Sequence, residues 1–274
     1  MRYKKHLLRV CCILLTLVLC MVGCEKEKDN KNSVNEDEFL PVMADVSNTK
    51  KTNNKGNGGK KVALTFDDGP HNVYTKAIVD ELSKYGYNAT FFVLGNRVDG
   101  TDYNGSSALI YAAEKGNEIG IHGYTHEIYY DRCSDADYNN EISKTDSAIK
   151  NRLKGTNPKL MRPIGGKITD SRIQTSKYSV IFWDVDSEDW RYKYKPSDDE
   201  ATKKEKLDTI VNNVMSSVRE GSIILMHDIY EGTYDATVII LQRLHQEGYE
   251  VVTVSELLGS DLSAGKSYSR RAAS

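Results

Sequence analysis

From residue 61 onward, short apolar runs alternate with longer amphipathic stretches. The runs are bounded by glycine, proline or charged residues, which is typical of buried strands. We predict strands at residues 62–66, 89–94, 118–121, 159–162, 179–185, 222–226 and 250–254. Between them, apolar residues recur at helical spacing, which predicts helices at 75–85, 106–115, 137–153, 203–219 and 236–246.

Regular alternation of strands and helices indicates an α/β fold with a parallel sheet covered by helices. Periodicity leaves two arrangements open, a barrel of about seven strands and an open doubly wound sheet. Polar side chains lie at or just after several predicted strand ends, namely Asp67, His122, Arg162, Asp189 and His227. Because active sites of barrels are built at this end of the strands, we expect a barrel.

The first 24 residues have the pattern of an export signal. A positively charged start, with Arg2, Lys4, Lys5 and Arg9, precedes an apolar run from 10 to 23. The run has 14 residues, against about 20 for a membrane-spanning helix, which favours a signal peptide. A small residue, Gly23, stands directly before Cys24. This resembles a bacterial lipoprotein signal, in which Cys24 would carry a lipid on the outer face of the membrane. The alternative is an uncleaved signal anchor with the same orientation.

Residues 25–60 are rich in Lys, Asn, Glu, Asp and Gly, and they predict a disordered polar linker. The folded domain is predicted at 61–258, followed by a polar tail at 259–274. Cys133 is the one cysteine beyond the signal, so no intramolecular disulfide framework is expected. The net charge of −2 becomes −6 without residues 1–24, which carry four basic and no acidic residues. This balance argues against nucleic acid as a partner.

Two acids and two histidines suggest a metal site. Asp67 and Asp68 end a buried strand, where bare carboxylates are costly without a partner. His122 and His126 are spaced i, i+4, which on a helix would place both rings on one face, although Gly123 replaces the glutamate of the HEXXH motif. One acid with two imidazoles makes a three-ligand site with room for water. The second acid could then act on that water.

Five separated clusters occur in order along the chain, and they are TFDDGP (65–70), HGYTH (122–126), RPIGG (162–166), DSEDW (186–190) and ILMHD (224–228). This series resembles the polysaccharide deacetylase family, also called the NodB-homology domain or carbohydrate esterase family 4, over residues 61–258. The resemblance implies a distorted (β/α) barrel, a divalent metal, and hydrolysis of acetyl groups on polysaccharides. The third cluster departs from the family pattern, because Pro163 and Ile164 precede the glycines.

Carried over by position, the resemblance implies Asp68, His122 and His126 as metal ligands. Zinc suits this donor set, and cobalt or nickel could replace it. Asp67 would be the general base and His227 the general acid that protonates the leaving amine.

The resemblance also implies supporting roles around these groups. Arg162 would orient Asp67, and Asp189 would raise the pKa of His227. The backbone N–H of Gly165 would hold the oxyanion, while Trp190 and Leu225 would line the acetyl pocket.

Other readings of single residues stay open at this point. Asp67 could cap a turn, His227 could be a buried histidine bonded to backbone, and Arg162 could be a surface charge. Asp186 and Asp228 are interpreted as structural. Several tyrosines follow the clusters and could stack on sugar rings or simply pack, and they are Tyr124, Tyr129, Tyr130, Tyr192, Tyr194 and Tyr230.

We therefore expect an extracytoplasmic, lipid-anchored hydrolase that removes acetyl groups from N-acetylglucosamine of peptidoglycan. The expected partners are an acetylated polysaccharide and the membrane. One alternative is an O-acetyl esterase on xylan or another polysaccharide, in which the leaving alkoxide needs less help from His227. A second alternative is a catalytically silent cell-wall binding module.

Overall fold

The computed structural model describes residues 59–100 and 105–271. They belong to one unit that spans Gly56–Ser274. The predicted signal at 1–24 with Cys24, and the predicted linker up to residue 58, lie outside the described residues. Among the described helices, none combines the length and the apolar character needed to cross a membrane.

The described chain alternates strands and helices, as the hydrophobic pattern predicts. The strands are β1 (Lys60–Asp67), β2 (Thr90–Leu94), β3 (Glu118–Gly123), β4 (Leu160–Met161), β5 (Ser179–Ile181), β6 (Val185–Asp186), β7 (Ile223–His227), β8 (Tyr249–Val251) and β9 (Ser267–Tyr268). The helices are α1 (Tyr74–Tyr85), α2 (Gly95–Asp99), α3 (Gly105–Glu114), α4 (Asp135–Arg152), α5 (Asp170–Thr175), α6 (Glu200–Met215), α7 (Glu231–Gln246) and α8 (Val254–Leu258). Short 3-10 helices cover Ile164–Gly166 and Gly259–Asp261.

All strand pairings in the described sheet are parallel. The strand order is β6-β7-β1-β2-β3-β4-β5-β9, and β8 pairs with the start of β1. The curled sheet with helices around it confirms the predicted distorted (β/α) barrel. Because the strands are parallel, their carboxyl ends meet at one edge, where the polar clusters come together.

The two faces of the sheet bury different cores. On β1, Val62, Leu64 and Phe66 pack with residues of the surrounding helices. Ala63, between them, belongs to a smaller cluster with Phe92 of β2 and other strand residues. Since side chains alternate across a strand, one continuous apolar run supplies both cores.

The predicted strand at 179–185 is wrong as a single element, because it forms both β5 and β6. These strands lie near opposite ends of the sheet order. Asp184 marks the break, since its carboxylate accepts hydrogen bonds from Ile223 N at 2.9 Å and Ser222 Oγ at 3.1 Å. An apolar run shows burial but not a change of strand partner.

The C-terminal region contains more structure than the sequence indicates. The predicted strand at 250–254 ends at Val251, and Thr253 caps α8 by accepting a hydrogen bond from Glu256 N. Farther on, β9 pairs with β5, and Arg271 N donates to Gly221 O at 2.8 Å. This segment therefore links β5 to the residues that precede β7.

Candidate active site

The adjacent acids Asp67 and Asp68 lie at the carboxyl end of β1. Asp67 is 3% exposed and is in register with His227 of β7 on one side. The next residue, Asp68, has a φ of 71°, in the left-handed region that non-glycine residues rarely adopt. This turn of the backbone directs the two adjacent carboxylates to different partners.

Asp68 faces two imidazoles. Its Oδ1 lies 3.4 Å from His122 Nε2 and 3.2 Å from His126 Nε2, and one ligand atom from each residue lies within 4.8 Å of the others. His122 Nδ1 is 2.9 Å from Arg162 O. Because a carbonyl oxygen only accepts, that nitrogen carries the proton and Nε2 keeps its lone pair for a ligand bond.

The ligand set fits a divalent metal ion. Asp68 Oδ1 is buried and accepts no hydrogen bond within the described ranges, and such orphaned oxygens need an explanation. Two imidazole nitrogens and a carboxylate oxygen match the donors of a three-ligand catalytic zinc site. Burial alone would raise the pKa of Asp68, but the His122 imidazole and the charges of His227 and His126 together outweigh burial and hold that pKa below its ordinary value.

The histidine motif is not helical. His122 lies on β3, and His126 follows in a loop with a φ of 67°, so the two rings do not share a helix face as considered for the i, i+4 spacing. Glu141 of α4, 2% exposed, holds this loop. Its carboxylate accepts hydrogen bonds from Tyr124 N at 2.7 Å and Thr125 N at 2.9 Å. Sequence reasoning missed Glu141, an acid among the buried residues of α4 that belongs to none of the five clusters.

Asp67 is held by a fully buried arginine rather than by the imidazoles. Arg162 Nη1 donates to Asp67 Oδ1 at 2.9 Å and to Thr65 Oγ1 at 2.7 Å. Its other described bonds go to carbonyl oxygens of Ile181 and Phe182. Burial lowers the pKa of Arg162, while the charge of Asp67 opposes that shift. The structure thus excludes a surface position for Arg162.

His227 is paired with a fully buried acid on the opposite side of Asp67. Its Nδ1 lies 2.7 Å from Asp189 Oδ1. Asp189 is 0% exposed and also accepts from His227 N, Trp190 N and Thr233 Oγ1. Burial alone would lower the pKa of His227, but the charge and hydrogen bond of Asp189 raise it to about 9. The side chain bonds a carboxylate rather than backbone.

A cavity of about 370 Å³ joins these groups. Most of the predicted site residues line it, and they are Asp67, Asp68, His122, His126, Gly165, Trp190, Leu225 and His227. The other two, Arg162 and Asp189, are fully buried behind Asp67 and His227. All ten predicted residues therefore converge on one place.

Aromatic residues complete the cavity wall. Tyr129 and Tyr230 line it, as does Trp183, which sequence reasoning missed although it follows a strand end. Trp190 is 45% exposed and Leu225 is 4% exposed. Stacking on a sugar ring therefore stays open for Tyr129 and Tyr230, which line the cavity. Tyr130 packs instead, because it is fully buried and donates a hydrogen bond to His122 O at 3.2 Å.

Two further acids lie close by. Asp186 lines the cavity and accepts a hydrogen bond from Glu188 N at 2.8 Å. Asp228 is fully buried, accepts from Thr75 Oγ1 and packs against the Cα of Gly69. Burial raises the pKa of Asp228 to about 7.

The left-handed glycine of the third cluster lies at the cavity wall. Gly165 has a φ of 58°, and a Cβ built there would come within 3.1 Å of the Tyr129 ring. Both facts favour glycine at this position. The close approach also places the backbone of Gly165 at the cavity surface.

Comparison with known proteins agrees with this geometry. Residues 54–179 match the family model described as "Polysaccharide deacetylase". The chain is 37% identical over 228 residues to the peptidoglycan-N-acetylmuramic acid deacetylase PdaC of Bacillus subtilis, covering 83% of this chain and 44% of that protein. A PdaC structure superposes with a TM-score of 0.64 at 38% identity, covering 73% of this chain and 90% of that one.

Two other similar proteins differ in the activity that their names give. A peptidoglycan-N-acetylglucosamine deacetylase of Bacillus cereus is 35% identical over 210 residues, covering 74% of this chain and 90% of that protein. A family 4 acetyl xylan esterase from Clostridium thermocellum, solved with a cobalt ion, has a TM-score of 0.65 at 30% identity, covering 77% of this chain and 98% of that one. The chain spans a little under half the length of PdaC. On the matched residues and the shared fold, this chain belongs to the polysaccharide deacetylase family.

Proposed function

We propose that this protein is a metal-dependent deacetylase that releases acetate from N-acetylglucosamine units of peptidoglycan. One observation supports this above the others. Adjacent carboxylates have separate environments, with Asp68 facing two imidazoles and Asp67 held by Arg162, and the His227–Asp189 pair lies across the same cavity. This arrangement offers a metal site, a base and an acid around one reacting group.

Asp68, His122 and His126 would hold the metal. We propose zinc, which suits two imidazoles and a carboxylate, with cobalt or nickel as substitutes of similar coordination chemistry. When bound, the ion supplies a Lewis acid that polarises the acetamide carbonyl and acidifies the attacking water.

Asp67 would accept the proton of the attacking water. Its Oδ1 is occupied by Arg162, while Oδ2 lies 3.8 Å from His122 Nε2, at the ligand cluster. Arg162 fixes the carboxylate through a buried charge-assisted hydrogen bond. The base is therefore oriented before substrate arrives.

His227 would donate a proton to the departing amine, which is a poor leaving group unless protonated. With Nδ1 bonded to Asp189, Nε2 is the nitrogen left for the substrate. The backbone N–H of Gly165 would donate to the developing oxyanion, and Leu225 and Trp190 would contact the acetyl methyl.

The substrate assignment draws on the relatives. Two of them are named as peptidoglycan deacetylases, one for N-acetylmuramic acid and one for N-acetylglucosamine. A lipid on Cys24 would place the domain at the cell wall. A second candidate, an O-acetyl esterase, is favoured by the similarity to the acetyl xylan esterase. The silent binding module is disfavoured because the proposed acid, base and ligand residues all lie around the cavity.

Acetate release from the purified chain tests this proposal. We expect release from peptidoglycan and from N-acetylglucosamine oligomers, abolished by a chelator and restored by zinc. Asp67→Asn should retain bound metal yet lose at least about 100-fold in rate, as expected for a general base. Asp208→Asn, on the exposed surface of α6, is the matched control.

The outcomes separate the candidates. Release from acetylated xylan alone would replace the proposal by the esterase. Metal-free protein that releases acetate from none of these glycans would favour the binding module.

A further inference from the structure

Three aromatic residues of the cavity wall each have a cation over their ring. Arg132 lies 4.5 Å from the ring centroid of Tyr129, Arg191 lies 4.8 Å from Trp190, and Lys193 lies 5.8 Å from Tyr230. All three cationic residues are exposed. A cation over an aromatic face is held in place without losing its access to solvent.

Two of these cations have no carboxylate partner among the residues that the structure describes. Arg191 pairs with Glu188 at 3.2 Å, so much of its charge is locally compensated. Within residues 59–100 and 105–271, neither Arg132 nor Lys193 forms an ion pair. Their position beside the cavity suits an anionic group on the ligand.

These two cations lie on opposite sides of the reacting centre. The Tyr129 ring lies against Gly165, which follows β4, whereas the Tyr230 ring centroid is 6.2 Å from that of His227 on β7. In the sheet order, β4 is three places from β1 on one side and β7 is adjacent to β1 on the other. A polymer bound across Asp67 would therefore meet one aromatic–cation pair in each direction.

The alternating chemistry of peptidoglycan matches this placement of one cation on each side of the reacting centre. Its glycan alternates N-acetylglucosamine with N-acetylmuramic acid, and only the latter has a lactyl substituent, which ends in a carboxylate or extends into a peptide with carboxylates. When N-acetylglucosamine occupies the centre, both neighbours have acidic substituents. When N-acetylmuramic acid occupies it, neither immediate neighbour does.

We propose that Arg132 and Lys193 form two anionic-substituent subsites that flank the reacting sugar, and that they select N-acetylglucosamine between two acid-bearing sugars. The sugar rings would stack on Tyr129 and Tyr230. This inference rests on the proposed function and adds which neighbouring sugars the reacting N-acetylglucosamine requires.

Acetate release should be compared on three glycans of similar length. These are neutral N-acetylglucosamine oligomers, peptidoglycan strands with peptide stems, and the same strands after amidase treatment, which leaves lactyl carboxylates. We expect higher kcat/KM for both acidic strands than for the neutral oligomers. The preference should fall as salt rises, because exposed charges are screened.

Charge-removing variants test the two residues. Arg132→Gln and Lys193→Gln should each lower the preference for acidic strands about twofold to fivefold, mainly through KM, as expected for exposed ion pairs. Arg132→Lys should retain the preference. Lys76→Gln removes a cation that lies over Tyr111, outside the cavity lining, and should change nothing. Thermal unfolding of each variant checks the fold.

The products identify the reacting sugar. Mass spectrometry of digested strands should find the free amine on glucosamine. Loss of acetyl confined to muramic acid would overturn the inference, as would a preference that survives the double substitution or equal rates on neutral and acidic glycans at all salt concentrations. The last two results would leave the proposed function standing, whereas loss confined to muramic acid would also replace N-acetylglucosamine as its reacting sugar. Release from none of the glycans by metal-loaded protein would overturn both.

Discussion

At the scale of single residues, the site depends on how buried charges are paired. Asp189 is fully buried and accepts four hydrogen bonds, among them one from the His227 ring. Its charge and hydrogen bond outweigh the burial of His227 and raise the pKa of that imidazole to about 9. A group with a raised pKa stays protonated below that value, so His227 is in its acid form at neutral pH.

Replacement of Asp189 should therefore change the pH dependence of the reaction. Asp189→Asn removes the charge but keeps an acceptor, so the pKa of His227 falls and the acid form is lost at lower pH. We expect the alkaline limb of kcat/KM to move to lower pH, with about a 100-fold loss at neutral pH. Thr233→Val removes one hydrogen bond to Asp189 without removing the charge, and it should shift the limb less. An alkaline limb that stays in place would show that Asp189 does not set this pKa.

At the scale of elements, the metal-ligand loop depends on a helix that supplies no ligand. Glu141 of α4 holds the backbone of Tyr124 and Thr125, between the two histidines of the motif. Tyr130, in the same loop, supports His122 because its hydroxyl group donates a hydrogen bond to the carbonyl oxygen of His122. The ligands are thus positioned by packing of α4 against β3 rather than by the local conformation of the motif.

Removal of the Glu141 carboxylate should weaken metal binding. Glu141→Ala leaves the partly buried N–H groups of Tyr124 and Thr125 without their acceptor, which costs about 2 kcal/mol of folding free energy. We expect metal affinity to fall about tenfold to 100-fold, as for other groups that orient ligands. Titration calorimetry with zinc and denaturant unfolding measure the two effects. Ser147→Ala, exposed on the same helix, is the control. Unchanged zinc affinity in Glu141→Ala would contradict the role of α4.

At the scale of the whole molecule, the curled sheet is completed by its last strand. Val180 N donates to Lys266 O at 2.9 Å and Phe182 N donates to Tyr268 O at 2.7 Å. Tyr268 also packs against the core cluster that contains Ala63 and Phe92. Without β9, the edge of β5 would expose unpaired N–H groups, which is both destabilising and prone to aggregation.

Deletion of residues 266–274 should consequently destabilise the entire sheet. The loss of two backbone acceptors and of Tyr268 packing should cost about 3 kcal/mol, or about 6–12 °C in Tm for a domain of this size. Deletion of 272–274 alone keeps β9 and serves as the control. Equal Tm values for the two truncated chains, measured by calorimetry, would show that β9 adds no stability.

The sequence by itself determined the local structure and which residues make up the candidate site. The spacing of apolar residues, and the glycine or charged residues at the ends of the runs, predicted most helices and strands, because these signals depend only on residues that are near in sequence. The position of acids and histidines at strand ends predicted their convergence, since parallel strands end at one edge. All ten predicted site residues do meet around one cavity or directly behind it.

Only the tertiary structure decided the contacts between distant parts of the chain. It divided residues 179–185 between β5 and β6, added β9, and placed Glu141 under the histidine loop. It also fixed which nitrogen of His122 is free, through a carbonyl 40 positions away. These features depend on pairing between residues that are far apart in sequence, and local periodicity has no information about such pairs.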